Sequence, residues 1–164
     1  MKVSQNWLKE LVNINTTPAD LAEKLSIGGF EVESLEDCSK KFEGVVLGKV
    51  ISVEKHNNSD KLSICKVDIG VKHLQIICGA NNIRSNIYVF VATVGTHLEK
   101  INLIIKGSEI RGVFSEGMIC SFEELGLEDK SEGIAIIDDS SFSKLESGTP
   151  LSDLLEMNDY IYDL

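Results

Sequence analysis

Between Val45 and Ser121 the apolar residues fall in short runs, broken by glycine, asparagine and charged residues. Residues 45–53, 62–69, 73–78, 88–94 and 103–111 read as strands or strand pieces, and 117–121 as a further short one. HNNSDK, from His56 to Lys61, is a cluster of turn formers. Gly48 inside the first run suggests a bulge or sharp bend. Gly70, Gly79, Gly95, Gly107 and Gly112 separate or interrupt the others, as tight turns and barrel corners require. So many short strands with no helix between them predict a small barrel or sandwich, not an open parallel sheet.

The two ends follow a different pattern. Ser4 is placed to cap a short helix whose Trp7, Leu8, Leu11 and Val12 form an apolar face. Thr17 and Pro18 make a stronger helix start, with Asp20 at the capping-box position. Leu21, Ala22 and Leu25 share one face of that helix, and Gly28 and Gly29 stop it. FEVESL, 30–35, alternates as a half-buried strand should. Residues 40–44 read as a linker. Beyond Ser121 comes the acidic stretch FEELGLEDKSEG, then a strand over 134–137 and a loop over 138–148. Thr149-Pro150 repeats the earlier helix start, with Leu151, Leu154 and Leu155 as its apolar face, and 159–164 reads as a closing strand. Neither end can bury a core alone. The expectation is one small discontinuous α/β domain, 1–40 plus 148–164, with the β-rich domain, 41–147, inserted into it. The final strand, running to Leu164 without a tail, reads as leading into further chain.

Charge sharpens this division. The whole chain carries −10, which argues against a nucleic-acid partner. Yet residues 45–121 hold 9 Lys/Arg against 6 Asp/Glu, while residues 122–164 hold 2 against 12. Any polyanion-binding surface therefore belongs to the middle, and its modest excess predicts weak, salt-sensitive contact. Cys38, Cys65, Cys78 and Cys120 form no C-x-x-C pair and read as reduced; Cys65, Cys78 and Cys120 each sit in an apolar run and read as core thiols, not as a zinc site. No apolar run is long enough to span a bilayer, and no signal-peptide core is present.

No catalytic constellation stands out. His56, His73 and His97 lack metal-ligand spacing and read as solvated turn histidines; Glu123-Glu124 and Asp138-Asp139 read as solvated loop acids. The sharpest local signal is IRGVFSEGMICS, 110–121. Gly112 suits a bend where backbone passes closely. Arg111, Ser115 and Met118 are candidates for phosphate, 2′-hydroxyl and base-stacking contacts, against the plainer reading of a hairpin with its polar tip in water. Asn82 and Arg84, after Cys78-Gly79-Ala80, are further candidates, as are Lys61 and Lys106 for phosphate.

These motifs carry a resemblance. SDKLSICKVDIG, IICGANNIR and IRGVFSEGMICS resemble the tRNA-binding OB domain found in stand-alone tRNA-binding proteins and in several aminoacyl-tRNA synthetases. MKVSQNWLKELVNI, the Thr-Pro helix and GGFEVESLE look like the start of the bacterial-type phenylalanyl-tRNA synthetase β subunit, and GTPLSDLLEMNDYIYDL is similar to that family's continuation. Asn57 and Val94 stand where the family usually has prolines. The resemblance implies a five-stranded OB barrel inserted into a small α/β domain, and a role as a non-catalytic tRNA-binding and assembly module. It implies cytoplasmic localisation and, as partners, tRNA, the α subunit and the rest of the β subunit in an α2β2 assembly. ATP and Mg2+ would serve the full enzyme, with neither cofactor nor metal held by this segment. Two other readings stay open: a subunit-docking module that no longer binds RNA, and a stand-alone tRNA-binding protein.

Overall fold

The computed structural model describes residues 1–138 and 144–164, so part of the expected 138–148 loop, with Asp139, lies outside the described residues. In chain order the elements are β1 (Lys2–Ser4), α1 (Gln5–Leu11), α2 (Pro18–Ile27), β2 (Ser34–Asp37), β3 (Val45–Lys55), β4 (Ser63–Asp68) and β5 (His73–Cys78). They continue with β6 (Tyr88–Thr93), β7 (His97–Leu98), β8 (Leu103–Ile104), β9 (Ser108–Ile110), β10 (Val113–Ser115) and β11 (Gly117–Ile119). Last come β12 (Ile136–Ile137), α3 (Leu151–Leu154) and β13 (Tyr160–Asp163). Among the described residues no helix is long and apolar enough to cross a membrane.

The chain divides into two compact units, Met1–Lys41 with Leu155–Leu164, and Phe42–Leu154. The first unit is a three-stranded antiparallel sheet in the order β1-β13-β2, with α1 and α2. Ser4 caps α1 by accepting the Trp7 N–H, and Thr17 caps α2 by accepting the Asp20 N–H, as the sequence predicts. Tyr162, fully buried, donates its hydroxyl to the Gln5 amide oxygen. Asp159 accepts the Asn6 N–H at 3.0 Å and the Ser4 hydroxyl at 2.5 Å. Burial pushes the Asp159 carboxyl up, but these donors outweigh it and hold it below its ordinary range.

Two expectations for this unit change. The strand predicted over 30–35 begins at Ser34 instead. Phe30 is drawn back into the end of α2, its N–H bonding the Leu25 carbonyl while Gly29 takes a φ of 95°. The predicted apolar face of α1 is not covered: Trp7 is 55% exposed, Leu11 66% and Val12 58%, and the residue α1 buries is Gln5.

The second unit is a nearly closed five-stranded antiparallel barrel of OB type, in the order β11-β6-β3-β4-β5, with β12 extending the β6 pairing. Its core holds Val50, Cys65, Val67, Leu74, Ile76, Val89, Val91 and Ile119, from alternate positions of five strands. β3 is the long strand that pairs with β6 at one end and β4 at the other, and its bulge falls between Val50 and Ser52, not at Gly48. Gly48 serves packing: a Cβ there would lie 2.7 Å from Val67 Cγ1 and 2.8 Å from Val91 Cγ2. Between β5 and the β10–β11 stretch the seam has one backbone bond, Glu116 N–H to the Gln75 carbonyl at 2.8 Å, and is otherwise made by side chains. Gln75 donates its backbone N–H to Glu116 Oε2 at 2.9 Å and its amide to the Phe114 carbonyl at 2.8 Å, and Ile77 N–H reaches Ser115 Oγ at 3.1 Å.

The strand predicted over 103–111 is broken into β8 and β9, because buried Ile105 turns inward and hydrogen-bonds both Gly95 and Thr96. The Thr149–Leu154 stretch, grouped with the ends on sequence, lies in the second unit: Thr149 accepts from Leu47 N–H, Pro150 bridges Val46, and Leu151 is fully buried.

Candidate nucleic-acid interface

The β9–β10 hairpin turns at Arg111 and Gly112, with φ values of 51° and 88°. The left-handed conformation is strained for an arginine, so something must hold it. The His56–Lys61 turn does so. His56 is 1% exposed, and its ring accepts the Asn58 N–H at Nδ1, 3.0 Å, which leaves Nε2 to donate to the Ile110 carbonyl at 3.1 Å. The expected solvated histidine is therefore a buried tie between two loops. Asn58 Nδ2 donates to the Arg111 carbonyl at 3.0 Å, and Arg111 Nη1 donates back to the Asn58 carbonyl at 3.2 Å. The Arg111 side chain stays exposed, and so does Lys61 in the clamped turn. Lys55 nearby is paired with Asp60 at 2.7 Å.

Met118 belongs to a second arrangement. β11 and the loop after it line a cavity of about 370 Å³ with the end of β5; its walls include Cys78, Gly79, Ala80, Met118, Ser121, Glu124, Ser131 and Ile134. Reciprocal clamps build the loop wall. Ser121 and Glu124 each accept the other's backbone N–H through a side chain, the S-x-x-E capping box. Glu123 and Ser131 do the same at 3.3 and 3.1 Å. The expected solvated pair Glu123-Glu124 is thus half-buried and structural. Asn82 donates to the Ile134 carbonyl and accepts its N–H, both at 3.0 Å, against Gly133 with a φ of 73°.

The named candidates therefore fall into three kinds. Lys61, Arg84, Lys106 and Arg111 are exposed cations. Met118 is half-buried on the cavity wall, and Asn82 fixes that wall. Ser115 is 3% exposed, with its hydroxyl accepting from Ile77 and donating to the Gly117 carbonyl. His56, Asn58, Gln75 and Glu124 position these groups; His56 and Glu124 read from sequence as solvated, and Asn58 and Gln75 carried no signal of this role beyond the turn that holds Asn58.

A barrel of this topology with exposed cations on its loops and a cavity lined by both polar and apolar groups is a nucleic-acid-binding type of scaffold. Residues 45–143 match the family described as "Putative tRNA binding domain", and the chain belongs to that family. Over its whole length it is 72% identical to the phenylalanine–tRNA ligase β subunit of Prochlorococcus marinus (strain MIT 9312), and 50% identical to that of Synechococcus sp. (strain CC9605). It spans 20% of the length of each of these relatives. Among solved structures, a MetRS-related protein from Pyrococcus horikoshii matches at 19% identity with a TM-score of 0.47, over 65% of this chain and 87% of that one.

Proposed function

We propose that the chain is the tRNA-binding and assembly module of a phenylalanine–tRNA ligase β subunit, acting in the cytoplasm and carrying no catalytic centre. The observation that carries this is the coincidence of the family match with the Asn58–Arg111 clamp, which spends two hydrogen bonds and a strained backbone on holding an exposed guanidinium at a loop tip. In this reading Arg111, Lys61, Arg84 and Lys106 contact the tRNA backbone, and Met118 packs against a base at the cavity. Asn82 and Ser115 set the walls and the seam these contacts need.

The unit formed by the chain ends supplies the assembly role. Trp7, Leu11, Val12, Ile27 and Phe30 are all exposed there and offer large apolar side chains to a partner. We assign this surface to the remainder of the β subunit and to the α subunit of an α2β2 enzyme. ATP and Mg2+ belong to that full enzyme. Among the described residues no three His, Cys, Asp or Glu side chains gather to hold a metal ion.

The test is a filter-binding titration of the chain with tRNA at low and at physiological salt. Binding that weakens steeply with salt supports the reading. No binding at low salt, with retained association to the α subunit, would select the docking role alone.

A further inference from the structure

The loop from Ser121 to Ile134 supplies the polar side of the 370 Å³ cavity that Met118 lines. Its hydrogen-bonding groups are fixed by the loop itself. Glu124 accepts the Ser121 N–H with Oε2 at 2.7 Å, and the Ser121 hydroxyl accepts the Glu124 N–H at 3.1 Å. Among the described residues no donor reaches the other carboxylate oxygen, Oε1, and no buried side-chain nitrogen or oxygen lacks a partner. Oε1 is therefore open to the cavity that Glu124 lines. The carboxylate stands toward the barrel core. It caps the residue that follows Cys120, which is fully buried, and burial first, then the Glu124 charge, pushes the Cys120 thiol up to about 12. Met118, Ala80 and Ile134 give the cavity its apolar lining.

We propose that this cavity takes an unpaired nucleobase whose edge away from the sugar leads with an amino group, cytosine or adenine, and that Glu124 selects it by accepting that amino group at Oε1. This selection rests on the tRNA-binding reading above, in which Met118 packs against a base.

The bases differ where the carboxylate can tell them apart. A base enters a pocket with its sugar last, so the edge farthest from the sugar goes deepest. Cytosine and adenine carry an amino donor there, whereas uracil and guanine carry a carbonyl acceptor at the same ring position. A carboxylate only accepts. An amino group thus completes a charge-assisted bond with Oε1. A carbonyl sets two acceptors against each other and leaves both without a donor. The rest of a nucleotide is kept out by charge. Residues 121–134 hold five Asp/Glu against one Lys, so a phosphate is repelled there. The RNA backbone is left to exposed cations such as Arg84, two residues beyond the Asn82 that fixes the cavity wall. The Met118 thioether packs on any aromatic face and does not distinguish one base from another. Selection therefore falls to Glu124.

The experiment is a fluorescence-anisotropy titration of the chain with labelled RNA decamers of cytidine and of uridine, at low and at physiological salt. The cytidine decamer should bind about five-fold tighter or more. Both should show the same salt slope, because their phosphates are the same. An adenosine decamer should side with cytidine. Glu124→Gln keeps the capping box, because the amide oxygen accepts the Ser121 N–H in its turn, and it presents an N–H donor to the cavity. The preference should vanish in that variant or reverse toward uridine. Wild-type titrations decide the matter should the variant not fold. Equal, salt-sensitive binding of both decamers by the wild type overturns the selection and leaves the tRNA-binding reading standing. A cytidine preference that survives in folded Glu124→Gln overturns Glu124 as its source. Binding of neither decamer at low salt overturns the selection and the tRNA-binding reading together.

Discussion

Asn58 and Arg111 hold each other through reciprocal bonds, each side chain donating to the other's backbone carbonyl, at 3.0 and 3.2 Å. The pair fastens a left-handed arginine to a turn more than fifty residues away in the chain. Separating the two partners separates position from charge. Arg111→Ala removes both, and should weaken tRNA binding and lower its salt slope by ~1. Asn58→Ala keeps the cation but frees the hairpin tip. It should leave the salt slope nearly intact while costing about 1 kcal/mol of barrel stability in urea unfolding. Equal slopes for wild type and Arg111→Ala would remove Arg111 from the phosphate contacts.

His56→Leu tests the other tie. The Asn58 N–H and the Ile110 carbonyl would each lose a buried partner. The expected cost is roughly 2–4 kcal/mol, from two unmade bonds at about 1–2 kcal/mol each. Loss of amide protection should concentrate in the turn and at the β9–β10 tip, readable by hydrogen exchange. Uniform loss across the barrel would contradict a local tie.

Gly48→Ala should be more damaging than an exposed glycine substitution. Its methyl would meet Val67 and Val91 on both neighbouring strands. Overpacking of this kind costs about 1–3 kcal/mol, to be read as a lower melting temperature. Gly95→Ala places its methyl in open space, so any cost there comes from a φ of 97° alone.

Asp159 gives the end unit an acid limit. Its folded carboxyl titrates below the ordinary value, so the stabilisation is complete above the unfolded pKa of about 3.9 and is lost as pH falls through the lower folded one. The α1 cap region should therefore loosen below about pH 4, because Ser4 and Asn6 lose their acceptor. Asp159→Asn should flatten that part of the acid profile, seen by Trp7 fluorescence. A variant with an unchanged acid transition would exclude Asp159 as its source.

The strands of the barrel were legible because period-two burial writes itself into the sequence: 73–78 matches β5 to the residue, and 45–53 finds all but the end of β3. The caps at Ser4 and Thr17 were legible because side-chain chemistry sets them locally. The rest depends on partners far apart in sequence. Nothing near His56 announces that its ring reaches Ile110, and nothing near Ser115 announces that its hydroxyl receives Ile77. Phe30 was misread because its apolar-acidic alternation is real, but the capping turn of α2 claims its backbone first. Exposure was thus legible for the cations, where it follows from charge, and not for small polar residues such as Ser115, whose hydroxyls and amides serve structure as readily as binding.

The side-chain seam at Gln75, Ser115 and Glu116 also bears on how the molecule reaches its final shape. A backbone ladder forms wherever two strands align, whatever their side chains. Apart from one backbone bond, Glu116 N–H to the Gln75 carbonyl, this join requires one amide, one hydroxyl and one carboxylate in place, across roughly forty residues of intervening chain. Closure is thus expected to follow the other four strand pairings, and opening it leaves their ladders intact. The barrel has a latch as well as a wall, and the amides beside Gln75 and Ile77 should exchange with solvent sooner than those between β3 and β4.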